Sequence, residues 1–245
     1  MRAVILAAGA ARRLAPLTDS IPKSLIKVGE KSLLENQLDA LQRYGIDEAL
    51  IVVGYLKEQI MAKIGDHYKT MNVSYIENPF YASTNTVYSL WLAREYFAGQ
   101  DFFYFNADVL FHYSLIGKLL EAPFETALGV EVKPCGEEEV KVIVDNAQRI
   151  VRIGKKLDPA ECLGEFVGIA KFGASLTADF ATALKAVIDD GLQMSFFEAA
   201  VDRMLEKHAM YAIDITKIPT IEIDFPEDLE RARKQVYPKI ISIDE

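Results

Sequence analysis

The chain reads as an α/β protein with a Rossmann-like mixed central sheet flanked by helices, and three observations point there. In the N-terminal half, near-continuous apolar runs of strand length alternate with stretches of helical periodicity, the pattern of crossover units on a parallel sheet. From Ala127 onward strands follow strands, with a hairpin turn at Asp145 and Asn146, so the sheet is mixed. No linker or repeat interrupts the 245 residues, and residues 1–245 are read as one domain although the length alone would also suit two small ones.

Each element has its own reason. "RAVILA" from Arg2 is apolar throughout, as a strand buried on both faces must be. Ser32 and Glu35 have capping-box spacing before "LLENQLDALQRYG", whose Leu34, Leu38 and Leu41 share a helical face and whose Gly45 ends the helix. "EALIVVGY" is a second strand, "LKEQIMAKIGDHY" a helix and "VSYIEN" a third strand. After the polar turn "NPFYASTN", "TVYSLWLAREYF" sets Val87, Leu90, Trp91 and Leu92 at helical spacing, with Trp91 read as core, and "DFFYFNADVLF" is a fourth strand ending near Asp108. "ALGVEVKP", the hairpin "VKVIVDNAQRIVRIGK" and "EFVGIAKF" supply further strands. Helices are expected over Leu176–Asp189 and Ser195–Lys207, and "YAIDI" and "TIEIDF" are late strands. Pro226 opens a last helix, with Glu227 and Asp228 at its positive end.

Composition narrows the function. Hydrophobic residues make up 51% and charged residues 26%, which suits a chain that folds by itself. The net charge of −9 argues against nucleic acid as a partner, since phosphates demand a basic face. Cys135 and Cys162 stand in unrelated contexts with no CxxC pair, suggesting neither a disulfide framework nor a zinc site. The run Ala3–Ala8 is too short for a signal-peptide core, and no stretch reaches the roughly 18 apolar residues that a membrane span requires. The expectation is a cytoplasmic protein without membrane insertion. Oligomeric state is not written in these residues, and a homodimer stays open.

Against this acidic background, the loop in "LAAGAARRLAPLTDSIPKSL", Leu6 to Leu25, is basic. A glycine turn after a buried strand exposes backbone N–H groups at the carboxyl edge of a sheet, where open α/β folds bind ligands. Gly9 supplies that turn, Arg13 and Lys23 add cations, and Pro16 and Pro22 stiffen the segment. The loop matches neither GxGxxG nor GxxxxGK[ST], so a dinucleotide site and a P-loop are both unsupported. Read alone, Arg12, Arg13 and Lys23 are more simply solvated surface charges on an ordinary connection.

The whole stretch closely resembles the signature LAAGxGxRLxPLTxxxPKxL of nucleotidyltransferases that join a sugar phosphate or phospho-alcohol to a nucleoside triphosphate. The resemblance implies a nucleotide-diphospho-sugar transferase type of fold, with Leu6, Ala8 and Gly9 at the nucleotide and Arg13 and Lys23 on its triphosphate. Ala11 departs from the pattern where the signature has its second glycine, and Arg12 stands where serine or threonine is common.

Nucleotidyl transfer needs a hard cation more than it needs covalent chemistry, and Mg2+ takes a few carboxylates with water and phosphate oxygens completing its shell. Asp108 and Asp224 each follow an apolar strand, and the resemblance places an aspartate at both points. They are the expected Mg2+ ligands, while each alone is also a plausible turn or helix cap. Asp101, Asp145 and Asp214 have no such support, and His67, His112 and His208 lack ligand spacing.

"VVGY", with Gly54 and Tyr55, and "NPFYASTNTVYSLWLA" resemble the bacterial phosphocholine cytidylyltransferase branch, which implies CTP and a phosphorylated acceptor. Asn78, Thr84, Asn85 and Ser89 carry amides and hydroxyls suited to a pyrimidine edge or ribose. "RIVRIGKKL" and "GEFVGIAKF" resemble the same branch, which makes Lys155 the lysine at the acceptor phosphate. A quaternary ammonium acceptor would want an aromatic box, for which Tyr81, Tyr104 and Phe166 are named, with Glu131 or Glu165 as anionic complement. Two other readings stand beside this one: a sugar- or inositol-1-phosphate nucleotidyltransferase, and a non-catalytic nucleotide-sensing domain.

Overall fold

The computed structural model describes residues 1–244. Strand β1 (Arg2–Ala7) leads into three short 3-10 turns, Arg12–Leu14, Leu17–Asp19 and Lys23–Leu25, and then into β2 (Lys27–Val28), β3 (Lys31–Ser32) and α1 (Leu33–Arg43). Next come β4 (Glu48–Val53), α2 (Lys57–Ile64), β5 (His67–Tyr68), β6 (Met71–Glu77), α3 (Thr86–Leu92) and α4 (Arg94–Phe97). The middle of the chain forms β7 (Phe102–Asn106), β8 (Val109–Phe111), α5 (Ser114–Glu121), β9 (Ala127–Glu131), β10 (Lys141–Val144), β11 (Ile150–Gly154) and β12 (Gly164–Phe172). It closes with α6 (Thr177–Asp189), α7 (Glu198–Met204), β13 (Tyr211–Asp214), β14 (Thr220–Glu222), α8 (Pro226–Arg231) and α9 (Tyr237–Asp244).

One ten-stranded sheet takes strands from both halves, in the order β11-β10-β12-β7-β1-β4-β6-β5, with β9 joining β12 to β13. The pairs of β1 with β4 and β7, and of β4 with β6, are parallel, whereas β12 runs antiparallel to β7. Alternation along β1 sends Val4 and Leu6 into a cluster shared with α3, α6 and α7, and Ala3, Ile5 and Ala7 into another shared with α1, α2 and α5. Both faces are therefore covered, which is why "RAVILA" is apolar at every position after Arg2.

Local signals behave as their chemistry requires. The Ser32 hydroxyl accepts from Glu35 N–H at 3.3 Å while the Glu35 carboxylate accepts from Ser32 N–H at 2.9 Å, a complete capping box on α1. Gly45, with φ of +67°, follows the C-cap Tyr44 in the left-handed region that ends helices. Two elements differ from expectation. The helix expected over "TVYSLWLAREYF" divides at the fully buried Ala93 into α3 and α4. The strand expected over "DFFYFNADVLF" divides at Ala107 and Asp108, because β8 leaves the sheet to pair antiparallel with β14.

That departure places the site. In the two-stranded ribbon Val109 lies opposite Glu222, and Ile223 N–H donates to the Asp108 carbonyl at 3.1 Å. A third apolar cluster of Leu14, Ile26, Leu110, Ile221, Ile223 and Leu229 fastens the ribbon and α8 to the basic loop after β1. Residues from the two ends of the chain thus meet beside the carboxyl ends of β1 and β7.

Candidate active site

The basic loop is held from behind by the end of β4. Tyr55 N–H donates to the Ala8 carbonyl at 3.0 Å, and the Tyr55 hydroxyl reaches the carbonyls of Thr18 and Asp19 at 3.0 and 3.2 Å. A Cβ on Gly54 would stand 2.8 Å from the Ala8 carbonyl oxygen and 2.9 Å from Tyr81 Cβ, so only glycine permits this approach. Gly9 is open instead, with no atom within 4 Å of a Cβ built there. Leu6 is buried, and its carbonyl accepts from Ala107 N–H at 3.2 Å. Ala11 adopts φ 45° and ψ 48°, the left-handed conformation, where the signature has glycine.

Lys23 sits where loop and ribbon meet. Its ammonium donates to Asp108 Oδ2 at 2.9 Å and Asp224 Oδ1 at 2.7 Å, and its side chain is only 12% exposed. Burial alone would lower its pKa, but the two carboxylates outweigh burial and hold it charged, well above the ordinary value. Burial would likewise raise Asp224, yet Lys23, Arg13 and Lys155 bring it below the ordinary carboxylate value. Glu222 goes the other way: burial, then the neighbouring charges of Asp108 and Asp224, push it well up.

Glu222 is the functional candidate that sequence reasoning missed. Oxygens of Asp108, Glu222 and Asp224 lie within 4.8 Å of one another, a set able to hold a metal ion. Asp108 Oδ1 is buried without a hydrogen-bond partner. An orphaned buried carboxylate oxygen beside two further carboxylates suits a hard divalent cation. The only sequence signal for Glu222 was its position two residues before Asp224, and the alternation of "TIEIDF" made it look like an outward polar residue of a strand.

Arg13 and Lys155 flank this centre. Arg13 Nη1 is 3.5 Å from Asp224 Oδ2, and its guanidinium lies 5.0 Å over the Phe225 ring. Glu138 lies between the two cations, 3.3 Å from Arg13 Nη2 and 3.8 Å from Lys155 Nζ. Lys155 Nζ also sits 4.6 Å over the Phe196 ring. Beneath them the buried Lys141 donates to the carbonyl of Lys155 at 2.6 Å and to those of Glu137 and Glu139 at 3.4 Å each. It ties the end of β11 to the segment carrying Glu138. The cysteines, unrelated by spacing, prove to be neighbours: burial and then the Cys162 thiol push Cys135 up to about 12, and both thiols are free.

The polar residues between β6 and α3 are engaged with one another. Asn78 is buried, its amide donating to Thr84 Oγ1 and Ser89 Oγ at 3.0 Å each and its carbonyl accepting from Phe80 N–H at 2.9 Å. Thr84 Oγ1 donates to the Phe80 carbonyl at 2.8 Å, and Asn85 caps α3 through Thr86 N–H at 2.8 Å. These groups fix the loop's shape. Of the aromatic residues named for an acceptor box, Tyr104 and Phe166 are buried in the core and Tyr81 is half-buried against Tyr55, with centroids 6.1 Å apart. Glu131 and Glu165 both pair with Lys133, at 2.8 and 2.6 Å. The structure therefore brings Arg13, Lys23, Asp108 and Asp224 together, joins Lys155 to them through Glu138, adds Glu222, and sets Asn78 and Ser89 inside a loop framework.

A basic strand-to-loop cradle facing a carboxylate cluster on a doubly covered mixed sheet defines a nucleotide-handling class of protein. Residues 2–137 match the family model described as nucleotidyl transferase, and the chain belongs to that family. Among its relatives, the CMP-5'-(3-aminopropyl)phosphonate synthase of Streptomyces rubellomurinus is 29% identical over 251 residues, covering 97% of this chain and 39% of the relative. The choline-phosphate cytidylyltransferase of Streptococcus pneumoniae is 43% identical over 101 residues, covering 41% of this chain and 42% of the relative. The match thus covers about two fifths of the length of each of these two relatives. The solved structure of CTP:phosphocholine cytidylyltransferase from Streptococcus pneumoniae superposes with a TM-score of 0.76 at 24% identity, covering 100% of this chain and 99% of that one, a likeness of fold. No helix among the described residues is long and apolar enough to cross a membrane.

Proposed function

We propose that this chain is a magnesium-dependent cytidylyltransferase, transferring a cytidylyl group from CTP to a phosphorylated small alcohol, phosphocholine or a related aminoalkyl phosphate or phosphonate, and releasing pyrophosphate. The observation that carries this reading is the meeting of Lys23 with Asp108 and Asp224 at 2.9 and 2.7 Å, with Arg13 3.5 Å from Asp224 and Lys155 joined to Arg13 through Glu138. Membership of the nucleotidyl transferase family and the activities printed for the relatives, one forming a CMP-phosphonate and one a choline-phosphate cytidylyltransferase, supply the choice of nucleotide and acceptor. The reading takes residues 1–245 as one catalytic domain working in the cytoplasm.

Asp108, Glu222 and Asp224 would hold Mg2+, which supplies charge neutralisation at the triphosphate. Arg13 takes triphosphate charge, and Lys23 exchanges its partners Asp108 and Asp224 for phosphate oxygens. The open backbone at Gly9 lets phosphates approach, while Gly54 and Tyr55 hold Ala8 and the loop in place. The network of Asn78, Thr84, Asn85 and Ser89 presents its loop to the nucleoside. Lys155 orients the acceptor phosphate, one oxygen of which attacks the α-phosphorus in line. The new P–O bond forms as the bond to the bridging oxygen of the β-phosphate breaks, its electron pair leaving with pyrophosphate. No protein nucleophile is required.

The test is pyrophosphate release from CTP, UTP or dTTP with phosphocholine, phosphoethanolamine, 2-aminoethylphosphonate, glucose 1-phosphate or inositol 1-phosphate. Highest turnover is expected with CTP and one of the first three acceptors. Preference for a sugar or inositol phosphate overturns the acceptor assignment, and CTP binding without turnover on any acceptor marks a nucleotide sensor instead.

A further inference from the structure

Gln37 lies on the buried face of α1 and has no role in the account above. Its side chain is 1% exposed, and its Nε2 donates to the carbonyls of Asn106 and Val109 at 2.9 Å each. An oxygen in the place of Nε2 would face two other acceptors, so the orientation of the amide follows from its partners. Those two carbonyls bracket Ala107 and Asp108, the point at which β7 ends in the sheet and β8 leaves it for β14. The other backbone bonds of this turn run elsewhere: Ala107 N–H donates to the Leu6 carbonyl at 3.2 Å, and the Asp108 carbonyl accepts from Ile223 N–H at 3.1 Å. One buried amide therefore spans the turn that carries a carboxylate of the acidic cluster and fastens that turn to α1. The capping box of Ser32 and Glu35 fixes where α1 begins, and with it the residue that meets the turn.

The same amide leaves its Oε1 buried without a hydrogen-bond partner among the described residues. Burying an unpaired oxygen is unfavourable, and a leucine or methionine would complete the face of Leu34, Leu38 and Leu41 without that cost. What an apolar side chain lacks is the pair of N–H donors, and Asp108 gives them a use. Its Oδ2 accepts from Lys23 at 2.9 Å, whereas its Oδ1 is buried with no partner, so this carboxylate depends on the backbone that carries it for much of its placement. We infer that Gln37 is a positioning residue of the cation site: by holding the Asn106 and Val109 carbonyls it fixes the turn and keeps the Asp108 carboxylate within reach of those of Glu222 and Asp224. This inference rests on the reading of those three acidic residues as cation ligands. Gln37 acts through the backbone, so its loss weakens the hold on the cation without removing a ligand.

The test is Mn2+ titration followed by electron paramagnetic resonance, with urea unfolding alongside, for wild type, Asp108→Asn, Gln37→Met, Gln37→Asn and Gln42→Met. Gln37→Met keeps the length of the side chain but has no donor. It is expected to weaken Mn2+ binding about tenfold with the number of sites unchanged, and in the turnover assay to raise the Mg2+ concentration needed for half-saturation while kcat returns at saturating Mg2+. Gln37→Asn retains the amide one methylene short of its partners and should weaken Mn2+ less, which preserves the comparison even if the methionine variant does not fold. Gln42→Met is the control on the same helix, because its amide also donates to a carbonyl, that of Tyr68 at 3.1 Å, at the β5 edge of the sheet. It should bind Mn2+ as wild type does, whatever stability it loses. Wild-type Mn2+ affinity in the folded Gln37 variants would overturn the proposal and leave Gln37 a structural hydrogen bond. Equal weakening in Gln42→Met would overturn it too, since the effect would then belong to α1 as a whole. Equal Mn2+ binding by wild type and Asp108→Asn overturns the cation reading first and this inference with it.

Discussion

Replacing Glu198 by Gln should stabilise the protein in a pH-dependent way, whatever the substrate is. Burial pushes the Glu198 carboxyl up to about 7, against smaller opposing effects of a backbone N–H and Lys155. The folded chain therefore holds this proton more tightly than the unfolded chain, in which the carboxyl titrates near its ordinary value. A carboxyl raised in this way weakens the fold progressively as pH rises from about 4.5 to about 7, and the full penalty persists above 7. At 1.36 kcal/mol per pH unit that interval amounts to roughly 3 kcal/mol, of which less than about 1 kcal/mol is present at pH 5. The amide of the variant is also buried, at a cost of about 1 kcal/mol that does not depend on pH. The informative quantity is thus the stability gain of Glu198→Gln at pH 8 minus that at pH 5, expected to be roughly 2–3 kcal/mol. Urea unfolding of both proteins at the two pH values measures it. Identical pH profiles would show that Glu198 is not a buried ionisable group.

Two further predictions concern the loop after β1. Ala11→Gly should stabilise the chain by roughly 0.5 kcal/mol, because the left-handed conformation costs alanine about 1–2 kcal/mol while the freer unfolded glycine takes back about 0.4–1 kcal/mol; thermal unfolding with a lowered Tm would contradict the strain assigned there. Gly54→Ala should destabilise by roughly 1–3 kcal/mol and raise KM for CTP, since its Cβ would meet the Ala8 carbonyl 2.8 Å away and displace Tyr55 from the loop; unchanged stability and KM would show the approach of β4 to the loop to be incidental.

Much of the architecture was written in local pattern. The apolar run of β1, the capping box of α1, the helix-ending Gly45 and the opening of α8 at Pro226 are decided by neighbours in sequence, so short-range physics sufficed. The aspartates were readable as strand-end carboxylates, but their meeting with Lys23 was not, because it depends on β8 leaving the sheet to pair with β14 near the other end of the chain. Glu222 was hidden by the same pairing, which turns a residue of an apparently ordinary alternating strand toward Asp108. Glu198 in "SFFEAA" has no local sign of burial, since acidic residues are favoured in a first helical turn, yet its side chain is 3% exposed. Asn78 and Ser89 were singled out by residue type, which cannot tell whether a polar group faces a ligand or a neighbouring loop residue.

The central claim is that Asp108, Glu222 and Asp224 form one cation site facing Arg13 and Lys23. Titration of Mn2+ followed by electron paramagnetic resonance tests it most directly, on the wild-type protein and on Asp224→Asn, with and without CTP. The account predicts one site in the wild type that tightens when CTP is added, weakened about tenfold or more by the substitution. Equal Mn2+ binding by the two proteins, indifferent to CTP, would contradict it.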